Sequence, residues 1–376
     1  MKIYIVGGAV RDYLLGHPVK DYDFVVTGAT PQEMLDKGFT QVGADFPVFL
    51  HPETKAEYAL ARKERKTGVG YFGFETYFDP TVTIIQDLHR RDLTINAMAV
   101  AEEDWDAFRK TLDKKFLIDP YRGYEDLMQS RLHIGSDAFA EDPVRILRVA
   151  RFRSRFGFIE SIETTAAILK MVKAGEVKSL VPERIWIETV KAIQENSPVE
   201  FFQFLARHDC LETLFPYLDL TDQLTADFCH VGDLSAIQRM AMLTSGFKNA
   251  EQIYEFFDAL KAPTEFRSLA VATHRLASLG QRELQADTFV DTLTSTGAWQ
   301  DASNASQGLH IIAAMDEKFT PEDFHRRIVS MQSVLPKVCQ IAFKDLTMKQ
   351  QRQLKGKDIG DALHDLRISM VQKHYE

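Results

Sequence analysis

IYIVGGAVRDYLLG, residues 3–16, runs a short apolar strand into Gly7–Gly8 and on into a helix carrying Arg11 and Asp12. A turn needs one glycine at most. Two let backbone N–H groups approach a ligand closely, and a helix opening there favours an anion. Alone, the stretch reads equally well as a tight strand-to-helix turn. KDYDFVV follows at 20–26. Asp21 and Asp23 alternate with Tyr22 on an expected strand, so both carboxylates face one way. Side by side they repel unless a cation sits between them. Mg2+ suits the pair, because it takes a few carboxylates and fills its other positions with water and phosphate oxygens. A solvated Asp pair at a strand edge is the competing reading.

The rest of the chain sets the context. Its 376 residues suffice for two or more domains, and 45% hydrophobic with 26% charged residues is ordinary globular composition. The N-terminal apolar run is cut by Arg11 and Asp12 too soon for a signal peptide, and no apolar stretch reaches the length of a membrane-spanning helix. Cys210, Cys229 and Cys339 are widely spaced, suggesting neither a disulfide framework nor a zinc site. These features place the protein in the cytoplasm.

The net charge of −9 argues at first against a nucleic-acid partner, but phosphate binding needs only local basic strips. RKERK at 62–66 is one. Arg145, Arg148, Arg151 and Arg155 share one face of an expected helix. His325 to Arg327, and Lys349, Arg352, Lys355 and Lys357, form a looser third.

KIYIV, DFVV, PVFLH, EYALAR and NAMAV are short β-like runs within residues 1–135. From 136 onward apolar residues recur at helical spacing, beginning with DPVRILRVARFRSRF, and the C-terminal helices are split by Gly356 and Gly360.

The order GGxxRD, then DxD, then RRDLTINAMA at 90–99 resembles the class II nucleotidyltransferases of the polymerase-β type. Within them it resembles the bacterial tRNA nucleotidyltransferases, the CCA-adding enzymes. DPYRGYEDL at 119–127, EDPVRILRVARF at 141–152, PERIWIE at 182–188 and LKGKDIGDAL at 354–363 continue the likeness. The resemblance implies an α+β fold. A polymerase-β-like nucleotidyltransferase head, a mixed sheet with helices, takes 1–135. An all-helical neck with the base template takes 136–205, and a helical, tRNA-binding body and tail take 206–376. It also implies addition of C, C and A to tRNA 3′ ends from CTP and ATP, with Mg2+ as cofactor and no membrane or protein partner.

Carried over by motif, Gly8, Arg11 and Arg91 contact the nucleotide, Asp21 and Asp23 are catalytic and bind magnesium, and Arg148 matches a further nucleotide contact. Asp92 and Asn96 fall in the same motif as Arg91 and read equally as direct nucleotide contacts or as a salt bridge and a turn-stabilising amide. Cytosine and adenine both present an exocyclic amine beside an unprotonated ring nitrogen. Asp142 and Arg145 are three apart and so project from one face of an expected helix, where Asp142 can accept from the amine while Arg145 donates to the ring, a pattern that uracil and guanine reverse. ARKERKTGVGYFGFE at 61–75 matches the loop that the family uses to change from C to A addition.

His208–Asp209 and His364–Asp365 lack flanking ligands at suitable spacing and read as ordinary surface residues, so the form expected is the one without the HD phosphohydrolase domain. Two other activities compete, a poly(A) polymerase and an A-only tRNA nucleotidyltransferase. A non-catalytic RNA-binding protein with a decayed head is a further reading.

Overall fold

A computed structural model of the chain describes residues 1–375 except 43–47, 67–73, 222–223, 226–227, 229–231, 316–319 and 322. It divides into two compact units, residues 1–188 with 204–214, and residues 189–203 with 215–376. These units cut across the divisions at 135 and 205 read from sequence.

The first unit contains eleven strands among the described residues. They are β1 (Lys2–Val6), β2 (Asp23–Thr27), β3 (Thr40–Val42), β4 (Val48–Leu50), β5 (Glu57–Leu60), β6 (Arg62–Lys66), β7 (Phe74–Phe78), β8 (Ala99–Ala101), β9 (Leu117–Ile118), β10 (Arg131–Leu132) and β11 (Ile159–Glu160). Seven form one mixed sheet in the order β3-β4-β5-β2-β1-β8-β9, in which β2 and β5 run parallel. Side chains alternate across it. Val25 packs with Val6, Leu88 and Ala99 on one face, while Val26 packs with Met34, Phe49 and Tyr58 on the other. Strands β6 and β7 form a separate antiparallel hairpin.

Helix α1 (Gly8–Leu14) follows β1, and α2 (Pro31–Asp36) follows β2. Helix α3 (Ile84–His89) opens on a capping box in which Thr83 accepts from Gln86 N. Helix α4 is Trp105–Thr111 and α5 is Gly123–Met128. Asp119 accepts from the backbone N–H groups of Gly123 and Tyr124 at 2.7 and 2.9 Å, so it anchors the first turn of α5. A Cβ on Gly123 would lie 2.1 Å from Thr94 O, and Asp126 accepts from Thr94 Oγ1 at 2.8 Å. Thus the DPYRGYEDL stretch buttresses the RRDLTIN segment. Gly123→Ala is expected to cost about 3 kcal/mol, because two backbones would have to separate. A melting temperature within a degree of wild type would refute this close approach.

Helix α6 (Val144–Phe156) buries Val144, Ile146, Leu147, Val149, Ala150 and Phe152, and ends at Gly157 with φ 69°. Helix α7 is Ile162–Lys173, α8 is Pro182–Ile193, α9 is Pro198–Arg207 and α10 is Leu211–Leu214. The expected all-helical neck is interrupted once, where β11 pairs in parallel with β10.

The second unit is helical throughout its described residues. Its core gathers Leu276, Phe289, Leu293, Leu309, Phe324, Met331 and Val338 from successive amphipathic helices. The C-terminal region departs from its sequence reading at one glycine. Gly356, with φ 55°, precedes the helix Lys357–Tyr375, but Gly360 lies inside that helix and does not split it.

Candidate nucleotide site

In the first unit a cleft of about 990 Å³ opens where β1, β2, the RRDLTIN segment and α6 meet. Among the described residues its lining includes nine arginines against four acids, a local excess of positive charge in an acidic chain.

The glycine turn forms one wall. Gly7 adopts φ 63° and ψ −117°, a conformation open to glycine and costly for other residues. A Cβ there would come within 2.7 Å of Arg91 Nη1. Gly7 and Gly8 both line the cleft. Arg11, on α1, is 4% exposed and donates to Asp12 through Nε at 2.8 Å and to Asn96 Oδ1 through Nη1. Its guanidinium lies 5.1 Å from the ring centroids of both Phe152 and Phe156. Burial lowers its pKa, opposed by the charge of Asp12. Arg155 reaches the other oxygen of Asp12 at 2.8 Å.

Asp23 opens β2 opposite Val6 and lines the cleft. Asp21 lies before the strand and outside it, so the two carboxylates are not placed by strand alternation as the sequence reading had it. The pleat begins only where β2 starts to pair. Both residues are exposed.

Arg91 donates to Asn96 O at 3.4 Å and to Asp87 at 3.3 Å. Asp92 accepts from Arg148 Nε at 2.6 Å and from Asn96 Nδ2 at 3.0 Å. The Asp92–Arg148 ion pair and the bond from the Asn96 amide match the salt-bridge and turn-amide reading, the alternative to direct nucleotide contact. Burial alone would raise the Asp92 pKa, yet the Arg148 charge and the Asn96 amide hold it well below the usual carboxylate range. A carboxyl depressed on folding stabilises the protein above about pH 4, its unfolded value, and that contribution fades as pH falls toward the folded value. Asp92→Asn is therefore expected to lose about 2 kcal/mol at pH 7, with Arg148 a third exposed. The gap to wild type should narrow as pH falls from 5 to 3. Melting curves showing a constant gap would refute this assignment.

On α6 the four arginines do not make a solvated strip. Arg145, Arg148, Arg151 and Arg155 all line the cleft, and Arg145 and Arg151 are buried. Arg151 donates to Glu188 at 2.7 Å. Asp142 precedes the helix in extended backbone (φ −125°, ψ 107°), so it does not share a helical face with Arg145 as expected. The helix begins at Val144, with Pro143 as its N-cap, too late to include Asp142. Asp142 is instead gripped by Arg184 of α8 at 2.9 and 2.7 Å and accepts from Val144 N. Arg145 donates to the carbonyls of Ala138 and Arg90, each at 2.7 Å.

Gly8, Arg11, Asp23, Arg91, Asp142, Arg145 and Arg148 thus meet in one cleft, with Asp21 just before the strand that carries Asp23. Sequence reasoning assigned no role to Asp87, Arg184 or Glu188. Asp87 carried a legible signal, standing three and four residues before two arginines, the spacing at which side chains meet at a helix end. The tip of the 61–75 loop, residues 67–73, lies outside the described residues, as do the side chains of 64–75. His208 is not a surface residue: it is 4% exposed, stacked on Phe204 and bonded to the Phe204 carbonyl. Its apolar neighbours on α9 draw it inward. His364 pairs with Asp291 at 2.7 Å, and no group of three or more metal-ligating side chains assembles among the described residues.

A family model described as Poly A polymerase head domain matches residues 3–133. Another, Probable RNA and SrmB- binding site of polymerase A, matches 157–221. The chain is 48% identical over 279 residues to the CCA-adding enzyme of Marinobacter nauticus, covering 72% of this chain and 71% of that protein. It is 38% identical over 413 aligned positions to the Multifunctional CCA protein of Teredinibacter turnerae, covering 99% and 98%. Among solved structures, a CCA-adding enzyme with ATP superposes with a TM-score of 0.70 at 22% identity, over 98% of this chain and 86% of the other. A CCA-adding enzyme with CTP gives 0.67 at 21%, over 98% and 86%. These two likenesses are of fold.

Proposed function

The chain belongs to the CCA-adding enzyme family, and we propose that it completes tRNA 3′ ends by adding C, C and A from CTP and ATP, with pyrophosphate released and no nucleic-acid template. The observation that carries this reading is the convergence of the glycine turn, Asp23 and the Asp142–Arg145 pair on one arginine-rich cleft.

The cationic lining suits a nucleoside triphosphate, whose charge Arg11 and Arg91 neutralise beside the Gly7–Gly8 turn. Arg148 takes part in holding the nucleotide, and Asp92 fixes its guanidinium. The transfer joins the 3′-hydroxyl oxygen of the tRNA to the α-phosphorus as the bond to the β-phosphate breaks. The family is metal-dependent, and the ion we assign is Mg2+. Its fit rests on chemistry, since Asp21 and Asp23 are exposed oxygen donors and Asp23 borders the cleft. When bound there, it would supply Lewis-acid polarisation of the reacting oxygens.

For base choice, a carboxylate offers about four lone-pair sites. Arg184 and Val144 N occupy three on Asp142, which leaves one acceptor for an exocyclic amine. Arg145 donates to two carbonyls, which fix the position of its guanidinium beside Asp142 in the cleft.

The body and tail, 206–376, are assigned to tRNA. Lys349 and Arg352 line a shallow depression beside Met348, part of a basic stretch that ends at Lys357. Binding is expected to weaken log-linearly with salt as counterions are displaced, and a salt-independent affinity would contradict this. No helix among the described residues is long and apolar enough to cross a membrane, and a cytoplasmic site of action is part of the proposal. Incubation with tRNA ending at the discriminator base, and with CTP and ATP singly and together, tests the reading. Sized products should stop after CCA. A long A tail would instead indicate a poly(A) polymerase, growth only on CC-ended tRNA an A-only enzyme, and no growth a binding protein.

A further inference from the structure

Asp87 is fully buried on α3, and it is not part of the cleft wall. A carboxylate in that position is costly unless its charge is matched. Here it is matched by residues that do border the cleft. Its Oδ1 accepts from Arg90 Nε at 3.1 Å, Arg90 Nη2 at 2.8 Å and the backbone N–H of Arg62 at 3.3 Å. Its Oδ2 accepts from Arg91 Nη2 at 3.3 Å. Burial alone would raise the Asp87 pKa, but Arg90 and Arg91 hold the carboxyl below its usual range.

The two arginines lead directly to the nucleotide site. Arg91 Nη1 sits in the space that a Cβ on Gly7 would fill and donates to Asn96 O, while Arg91 Nε is buried with no protein partner. The Arg90 carbonyl accepts from Arg145 Nη2 at 2.7 Å. Through Arg62, the same carboxylate ties the root of the β6–β7 hairpin to this segment.

We propose that Asp87 is a positioning residue of the nucleotide site: its carboxylate sets the Arg91 guanidinium against the glycine turn and anchors the Arg90 segment that supports Arg145. This rests on the nucleotidyltransferase reading given above. Asp87 does not touch the nucleotide. It acts through Arg91, whose other hydrogen bond among the described residues is the long one from Nη1 to Asn96 O.

The test uses the full chain. Asp87→Asn keeps the shape and an acceptor for Arg62 N but removes the charge that holds Arg91. Displacing a binding group by about 1 Å costs up to about 10²-fold, so the Kd for ATP with Mg2+, read by calorimetry without tRNA, should weaken about 10- to 100-fold. KM for CTP and ATP should rise with it, while KM for tRNA stays within twofold. In an Arg91→Lys background the same substitution should add less than about twofold, because the two act as one unit. An unchanged ATP Kd, equal losses for nucleotide and tRNA, or additive effects with Arg91→Lys would each overturn the proposal. If Asp87→Asn does not fold, Asp87→Glu replaces it. That variant keeps the charge but moves it by one methylene, and a wild-type ATP Kd there overturns the proposal equally. CCA addition by the wild type tests the function separately. A protein that binds ATP but adds nothing fails the function reading and leaves the Kd comparison intact.

Discussion

Asp23→Ala is expected to lower nucleotide transfer by about 10³-fold or more while leaving tRNA affinity unchanged. The carboxylate opens β2 beside Val6 and faces the cleft that holds Gly7 and Gly8, so its charge lies where reacting phosphate oxygens would gather. It is exposed, and its removal opens no cavity in the core. Melting temperature should therefore stay close to wild type, which separates lost chemistry from lost fold. Asp21→Ala is expected to behave in the same way, although Asp21 stands outside the strand. Single-turnover incorporation of CMP, measured beside a filter-binding assay for tRNA, checks both variants. Near-normal turnover in either would remove that carboxylate from the metal site.

Asp142→Ala is expected to change which base is used. A site with buried polar groups matched to one hydrogen-bond pattern rejects the reversed pattern by up to about 10⁴–10⁵. With the acceptor gone, CTP and ATP use should fall, UTP or GTP should enter detectably, and the CTP-to-UTP incorporation ratio should drop by at least about 10². The ion pair with Arg184 supplies a control. Arg184→Met leaves Asp142 charged and held by Val144 N alone among its described partners, so it should weaken use of the correct nucleotides with a smaller loss of discrimination. If Asp142 served only to meet Arg184 and to cap α6, Asp142→Ala would be slower or less stable with its base ratio unaltered. That result would end the template assignment.

Much of this site was legible because its parts are local. Gly7–Gly8, Asp21–Tyr22–Asp23 and Arg90–Arg91–Asp92 each place their groups within three residues, so backbone geometry alone brings them together. The strands KIYIV and DFVV and the helix VRILRVARFRSRF were legible for a similar reason: burial on a sheet or helix leaves a period of 2 or 3.6. The start of α6 was misjudged by two residues, and that shift was enough to take Asp142 off the helical face it was expected to share with Arg145. His208 was misjudged because a polar residue says little about burial when its ring can stack and its nitrogen can reach a carbonyl.

The sequence by itself determined the order of motifs, the α+β character and most of the charged residues that line the cleft. Only the tertiary structure decided which charge answers which. Asp12 meets Arg155 across 143 residues, Asp92 meets Arg148 across 56, and Asp142 meets Arg184 across 42. An ion pair at such separation leaves no periodic trace, since either partner alone looks like one more solvated charge. Burial makes the choice. Once folding takes these carboxylates out of water, each must find a cation within hydrogen-bond reach, and the arginines of α6 and α8 are where the packing puts them.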